Sequence, residues 1–271
     1  MGDLVQKGSI DFESLLKTAV GLPGVRIKRE EFLTAALTPY FSDDVVRNAV
    51  LHNPAAAGIS VEEINKIANR SIKLETRNVT AFSFAAGIPG GFAMIGTIPA
   101  DLVQYFGHIL RILQKLIYLY GWQELFQDNG TMDDETANLL TLFTGIMFGV
   151  TGAANAIKKV ADSAASKVSK SLAQKALTKG AVYPVVKKVA TALGIRMTKD
   201  IFAKSVSKVV PIIGGVASGG LTYATYRPMA VKLREHLSTF RFADVSFYAN
   251  PSAPTSPAAP IEVEDIEILP D

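Results

Sequence analysis

Hydrophobic and polar positions follow a helical period over most of the chain, apolar residues returning every three or four places. Asp11 to Val20 predicts a short charged amphipathic helix. Arg26 to Leu37 predicts a second, after the Gly21-Leu-Pro-Gly24 turn. Ser42-Asp43-Asp44 opens a third, which Asn53-Pro54 ends. Ser60-Val-Glu-Glu63 has the form of a capping box, in which a serine and a glutamate satisfy each other's backbone N–H groups at a helix start. The helix it opens is expected to run to about Arg77, with Ile64, Ile67, Ala68, Ile72 and Leu74 as its apolar stripe.

Beyond residue 77 the pattern changes to three long, uncharged, glycine-rich stretches, Asn78 to Ala100, Ala137 to Ile157 and Val209 to Tyr226. Their length is near the roughly 20 residues that a bilayer-spanning helix needs. The first is broken by Pro89 and Pro99, and Gly87, Gly90, Gly91 and Gly96 each lower helix propensity by about 1 kcal/mol relative to Ala. The second is the best spanning candidate by charge, and Thr131 to Glu135 supplies a cap and three acids at the positive end of its helix. It carries Gly145 and Gly149, the third Gly215 and Gly219, spacings that let two helix backbones approach closely. These stretches are expected to form tightly packing helical hairpins able to touch a bilayer; lipid insertion and burial in a soluble core both remain open.

A different helix follows Pro99. Asp101, Gln104, His108, Arg111 and Lys115, at spacings of three, four, three and four, draw a polar line along an otherwise apolar body of Leu, Ile, Val and Phe from Leu102 to Leu119. Such a helix is buried on most sides or lies on lipid, its line turned to water, to an internal polar network or to a partner. A catalytic pair of Asp101 and His108 is disfavoured: seven residues along one helix is about 10 Å, and Asp101 after Pro99 suits a capping role. His52 and His236 have no second metal ligand one turn away, and no zinc, phosphate-loop or serine-elbow pattern occurs. No catalytic residue, metal or cofactor is assigned.

Composition narrows location more than chemistry. With 48% hydrophobic residues and a mean hydropathy of +0.23, apolar content is high, and the absence of cysteine excludes disulfides and thiolate chemistry and suits a reducing cytoplasm. No secretory leader is expected from the first residues. A net charge of +3 is too small to suggest nucleic acid. It is unevenly spread: Lys158 to Lys208 holds twelve Lys or Arg against Asp162 and Asp200. Lys158, Lys159, Lys167, Lys170, Lys187 and Lys188 are therefore candidate contacts for anionic lipid, each worth about 1 kcal/mol near such a surface. After Pro251, Pro254, Pro257 and Pro260 the chain turns acidic, which predicts a disordered tail. The expectation is an all-α fold: a glycine-rich bundle over residues 1–245, amphipathic over 1–77 and hydrophobic over 78–245, followed by a tail over 246–271.

The succession Gly87-Ile-Pro-Gly-Gly91, Ile98-Pro-Ala-Asp101, Tyr118-Leu-Tyr-Gly-Trp122 and Val210-Pro-Ile-Ile-Gly-Gly215 resembles the EcsC family of bacterial proteins, over roughly Leu22 to Phe240. The resemblance implies a mostly helical protein, in its founding case encoded beside the ATPase and membrane subunits of an ABC transporter linked to secretion, and it supplies no catalytic residues. The leading functional expectation is a non-enzymatic, cytoplasmic, membrane-associated helical protein that meets a membrane surface or membrane complex as an accessory. Two alternatives stand beside it: a soluble helical carrier of an apolar or lipid ligand, and a hydrolase with an unrecognised site.

Overall fold

The caps that the sequence displays are ones the backbone uses. Asp11 accepts a hydrogen bond from Ser14 N at 3.0 Å to begin α1 (Phe12–Val20). Glu63 accepts from Ser60 N at 3.0 Å while Ser60 Oγ accepts from Glu63 N at 3.3 Å, closing the capping box that begins α4 (Val61–Ala86). Between them lie α2 (Arg29–Leu37) and α3 (Asp43–Leu51). The computed structural model describes residues 11–86, 94–95, 98–126, 132–166, 182–207 and 214–249, and the fold is all-α, with one two-residue antiparallel pairing of β1 (Met94–Ile95) and β2 (Ile98–Pro99).

Two sequence expectations change here. Helix α4 does not stop near Arg77 but continues through the start of the first apolar stretch to Ala86, since no helix breaker stands before Gly87. Leu74, expected in its core stripe, is half exposed. The second apolar stretch is likewise not one helix. α6 (Asp134–Met147), capped by Asp133 on Thr136 N at 2.8 Å, ends at Gly149, whose φ of +69° lets Val150 N reach back to Gly145 O at 2.8 Å. Then α7 (Ala153–Ser166) starts. α5 (Ala100–Leu119) ends in the same manner, with Gly121 at φ +95° and Trp122 N bonded to Ile117 O at 3.0 Å. α8 (Tyr183–Ser207), α9 (Gly214–Leu237), a 3-10 turn (Arg241–Ala243) and the short α10 (Ser246–Ala249) complete the chain described.

Helix α5 is the axis of the core. It packs against α1, α2, α4, α6 and α9, and Val103, Phe106, Ile109, Leu110, Leu113, Leu116 and Ile117 are fully buried. Removing a buried Leu or Ile side chain to Ala costs about 2–5 kcal/mol, so this helix carries more of the stability than any sequence-local feature. Around it, α4 lies along α9, and α6 packs on α7, α8 and α9. Gly145 sits where α6, α7 and α8 meet: a Cβ there would stand 2.6 Å from Val189 and 2.9 Å from Ala153. Gly149 belongs to the turn, not to a helix face. Gly215 and Gly219 lie in the first turns of α9.

Trp122, just after α5, gathers Phe143, Phe242 and Phe240 at ring separations of 5.0, 5.4 and 6.2 Å, edge-to-face geometries that add to burial. The folded region continues past residue 245. Tyr248 on α10 accepts from Asn53 Nδ2 at 2.5 Å and donates to Phe242 O at 3.1 Å, tying this segment to the loop after α3. The rest of the expected tail, 250–271, lies outside the described residues. Among the described residues, no helix is long and apolar enough to cross a membrane.

Candidate functional site

The polar line of α5 faces α4, and the residue it meets there is Glu75. This carboxylate is 1% exposed. Lys115 Nζ donates to its Oε1 at 2.5 Å, Arg111 Nη2 to the same oxygen at 3.2 Å, and His108 Nδ1 lies 3.6 Å from Oε2. Spacings of three and four place these three bases on successive turns of one α5 face, which is why a single acid can meet all of them. Burial pushes the Glu75 carboxyl up, but the approach of His108, the hydrogen bond from Lys115 and the charges of Lys115 and Arg111 outweigh it and hold the group at about 2.

The cluster's positive charge exceeds its negative charge, and the surplus is absorbed locally. Arg111 Nη1 also donates to the carbonyl of Gly24, and Lys115 lies 5.8 Å above the ring centre of Phe32. Tyr226 of α9, buried, donates to His108 O at 2.9 Å and binds the third helix to the pair. Its hydroxyl pKa is raised well above the ordinary value, first by burial and then by the Glu75 charge. The polar line is thus an internal network, one of the destinations expected for it. Gln104, half-buried one turn earlier, is not among the groups on Glu75, and Asp101 occupies the first turn of α5, its side chain outside the described residues.

Two buried polar residues carry no motif that marks them in the sequence. Gln114 has no exposure and splints the α1–α2 connection, accepting from Ile27 N at 2.8 Å and donating to Val25 O at 2.9 Å. Arg29, 6% exposed, clasps the end of α3 through Val50 O at 2.6 Å, His52 O at 2.9 Å and Ala49 O at 3.3 Å, and donates to Trp122 O at 3.0 Å. Burial lowers its pKa and the nearby Glu124 charge partly restores it. The carbonyl end of a helix favours a cation there.

A second cationic region lies on the opposite side of α4. Lys66, Arg70, Lys73 and Arg77, spaced four, three and four, are all exposed and form one row. Beside it, α4 and α9 border a groove of about 630 Å³ lined by Asn69, Ile72, Lys73, Tyr223, Arg227, Val231 and Arg234. The lining holds three cations and no carboxylate. Arg234 is held by Asn69 Oδ1 at 2.5 Å and by Glu235 at 3.2 Å, whereas Lys73 and Arg227 form no ion pair with any described residue. Tyr223, 52% exposed, stands one turn before Arg227, and Leu74 interrupts the basic row.

The lysines singled out from sequence divide between described and undescribed segments. Lys158 on α7 and Lys187 and Lys188 on α8 are exposed, Lys159 is half-buried, and Lys187 Nζ lies 4.9 Å above the Tyr183 ring. Lys167 and Lys170 lie outside the described residues. Among the described residues, no group of three or more His, Asp or Glu is arranged to hold a metal. No known family's sequence profile matches this chain, and neither the curated proteins nor the solved structures contain a significant match to it.

Proposed function

We propose that the protein is a non-enzymatic, membrane-associated helical protein that attaches to anionic membrane surfaces from one side, through the cationic face of α4 and α9. The observation that carries this reading is the row Lys66, Arg70, Lys73 and Arg77 with Arg227 beside it, basic side chains at the surface with Leu74 and Tyr223 among them. Cations attract anionic head groups at about 1 kcal/mol each, and an aromatic or aliphatic side chain at the same depth settles at the head-group boundary. The resemblance to the EcsC family supports an accessory role at a membrane transport or secretion complex on the cytoplasmic side.

Co-sedimentation with vesicles tests it. Binding to phosphatidylglycerol vesicles and not to phosphatidylcholine vesicles is expected, weakening as salt shortens the screening length below about 10 Å. Recovery of all the protein in the supernatant at low salt overturns the reading.

A further inference from the structure

We infer that the groove between α4 and α9 is a site for one phosphomonoester group, held by Lys73, Arg227 and Arg234. This deepens the reading of the cationic face as anion-binding, and it does not require that the anion belong to a lipid. Three features of the groove select the ligand. First, three cations converge with no carboxylate in the lining, and among the described residues Lys73 and Arg227 form no ion pair. With Arg234 offset by Glu235, the charges of Lys73 and Arg227 are left uncompensated; a carboxylate ligand would answer one of them, whereas a phosphomonoester carries between one and two negative charges near neutral pH and three acceptor oxygens.

Second, the donors differ in freedom in a way that suits such a group. Arg234 is only 19% exposed and its guanidinium is fixed by Asn69 and Glu235, so it presents a positioned edge. Arg227 and Lys73 are exposed and free to close over the anion from either wall. Guanidinium groups match the oxygen spacing of phosphate, and charge-assisted bonds of this kind are about twice as strong as neutral ones. Third, the groove has room for a head group but is not an apolar cavity: Ile72 and Val231 supply the apolar lining, and Tyr223, one helical turn from Arg227, offers a hydroxyl and a ring face at the edge. The site joins residues from two distant regions of the sequence, and it exists only because α4 and α9 lie side by side.

The test uses the full chain and three proteins: wild type, Arg227→Gln in the groove, and Lys187→Gln on α8 as a charge-matched control. Each is titrated with inorganic phosphate and pyrophosphate by calorimetry, and each is sedimented with phosphatidate vesicles and with phosphatidylglycerol vesicles matched in surface charge. Phosphate or pyrophosphate binding that falls about tenfold in Arg227→Gln and not in Lys187→Gln supports the site. If phosphatidate vesicles are also preferred and that preference vanishes in Arg227→Gln, the source is a lipid head group; if the preference is absent, the source is a soluble phosphate compound. Vesicle binding that follows surface charge alone, lost equally in both variants and with no heat on phosphate titration, overturns the phosphate site while leaving membrane attachment standing. Absence of both overturns the two together.

Discussion

The two sides of α4 treat the cations beside them in opposite ways. Facing α5, Arg111 and Lys115 converge on one buried carboxylate, a backbone carbonyl and a ring face, so their charge is consumed inside the protein. Facing outward, Lys73 and Arg227 meet no acid among the described residues. A buried charge must be paired or its desolvation dominates, whereas an exposed one can wait for a ligand at little cost. The difference separates structure from function more sharply than the count of basic residues does.

Breaking the inner cluster should have the largest effect. Glu75→Ala leaves Arg111 and Lys115 facing an emptied buried site, and a loss of about 3–5 kcal/mol in chemical denaturation is expected. Arg111→Gln, which removes a charge-assisted hydrogen bond but leaves Lys115 on the carboxylate, should cost about 1.5–3 kcal/mol by the same measurement. Gly145→Ala supplies a benchmark without charge: its Cβ collides with Val189 and Ala153, and about 1–3 kcal/mol should be lost.

The inner face should also respond to acid. The Glu75 carboxyl is held at about 2 against an ordinary 4.5, so its stabilisation is complete above about pH 4.5 and is lost as the pH falls toward 2. Melting temperature followed over that window should drop more steeply in wild type than in Glu75→Gln, whose amide does not titrate. Parallel curves would show that the cations do not depend on this carboxylate. On the outer face, Arg227→Gln should change stability by less than about 0.5 kcal/mol; a larger loss would place that residue with the structural set and blur the contrast.

Much of the fold is legible from local rules. Ser60 and Glu63 announce α4, Asp133 with its neighbouring acids announces α6, and the three-four spacing from His108 to Lys115 announces one polar face on α5. The partner of that face is less visible, yet it leaves a signal: Glu75 falls three residues after Ile72 and seven after Ala68, in the middle of the apolar stripe, where an acid must find cations. Leu74 misleads because its apolar character suggests the core while its angle on the helix points to the surface. Ala137 to Ile157 misleads because an uncharged run looks continuous, while Gly149 adopts a left-handed turn that hydropathy does not register. The groove has no local signal at all, because Lys73 and Arg227 become neighbours only through the packing of α4 on α9.

Glu75 has a consequence beyond its energy. The apolar sides of α5 are rich in Leu and Ile, side chains of similar volume whose packing loses uniqueness before it loses stability. A shift of one residue moves a helix about 1.5 Å along its axis and turns it by about 100°, enough to carry His108, Arg111 and Lys115 away from the carboxylate together. One acid read on three turns therefore selects both the axial position and the rotation of α5 against α4. The expected signature of its loss is plural packing: duplicated or broadened side-chain resonances around α5 in Glu75→Gln, even under conditions where the variant remains folded.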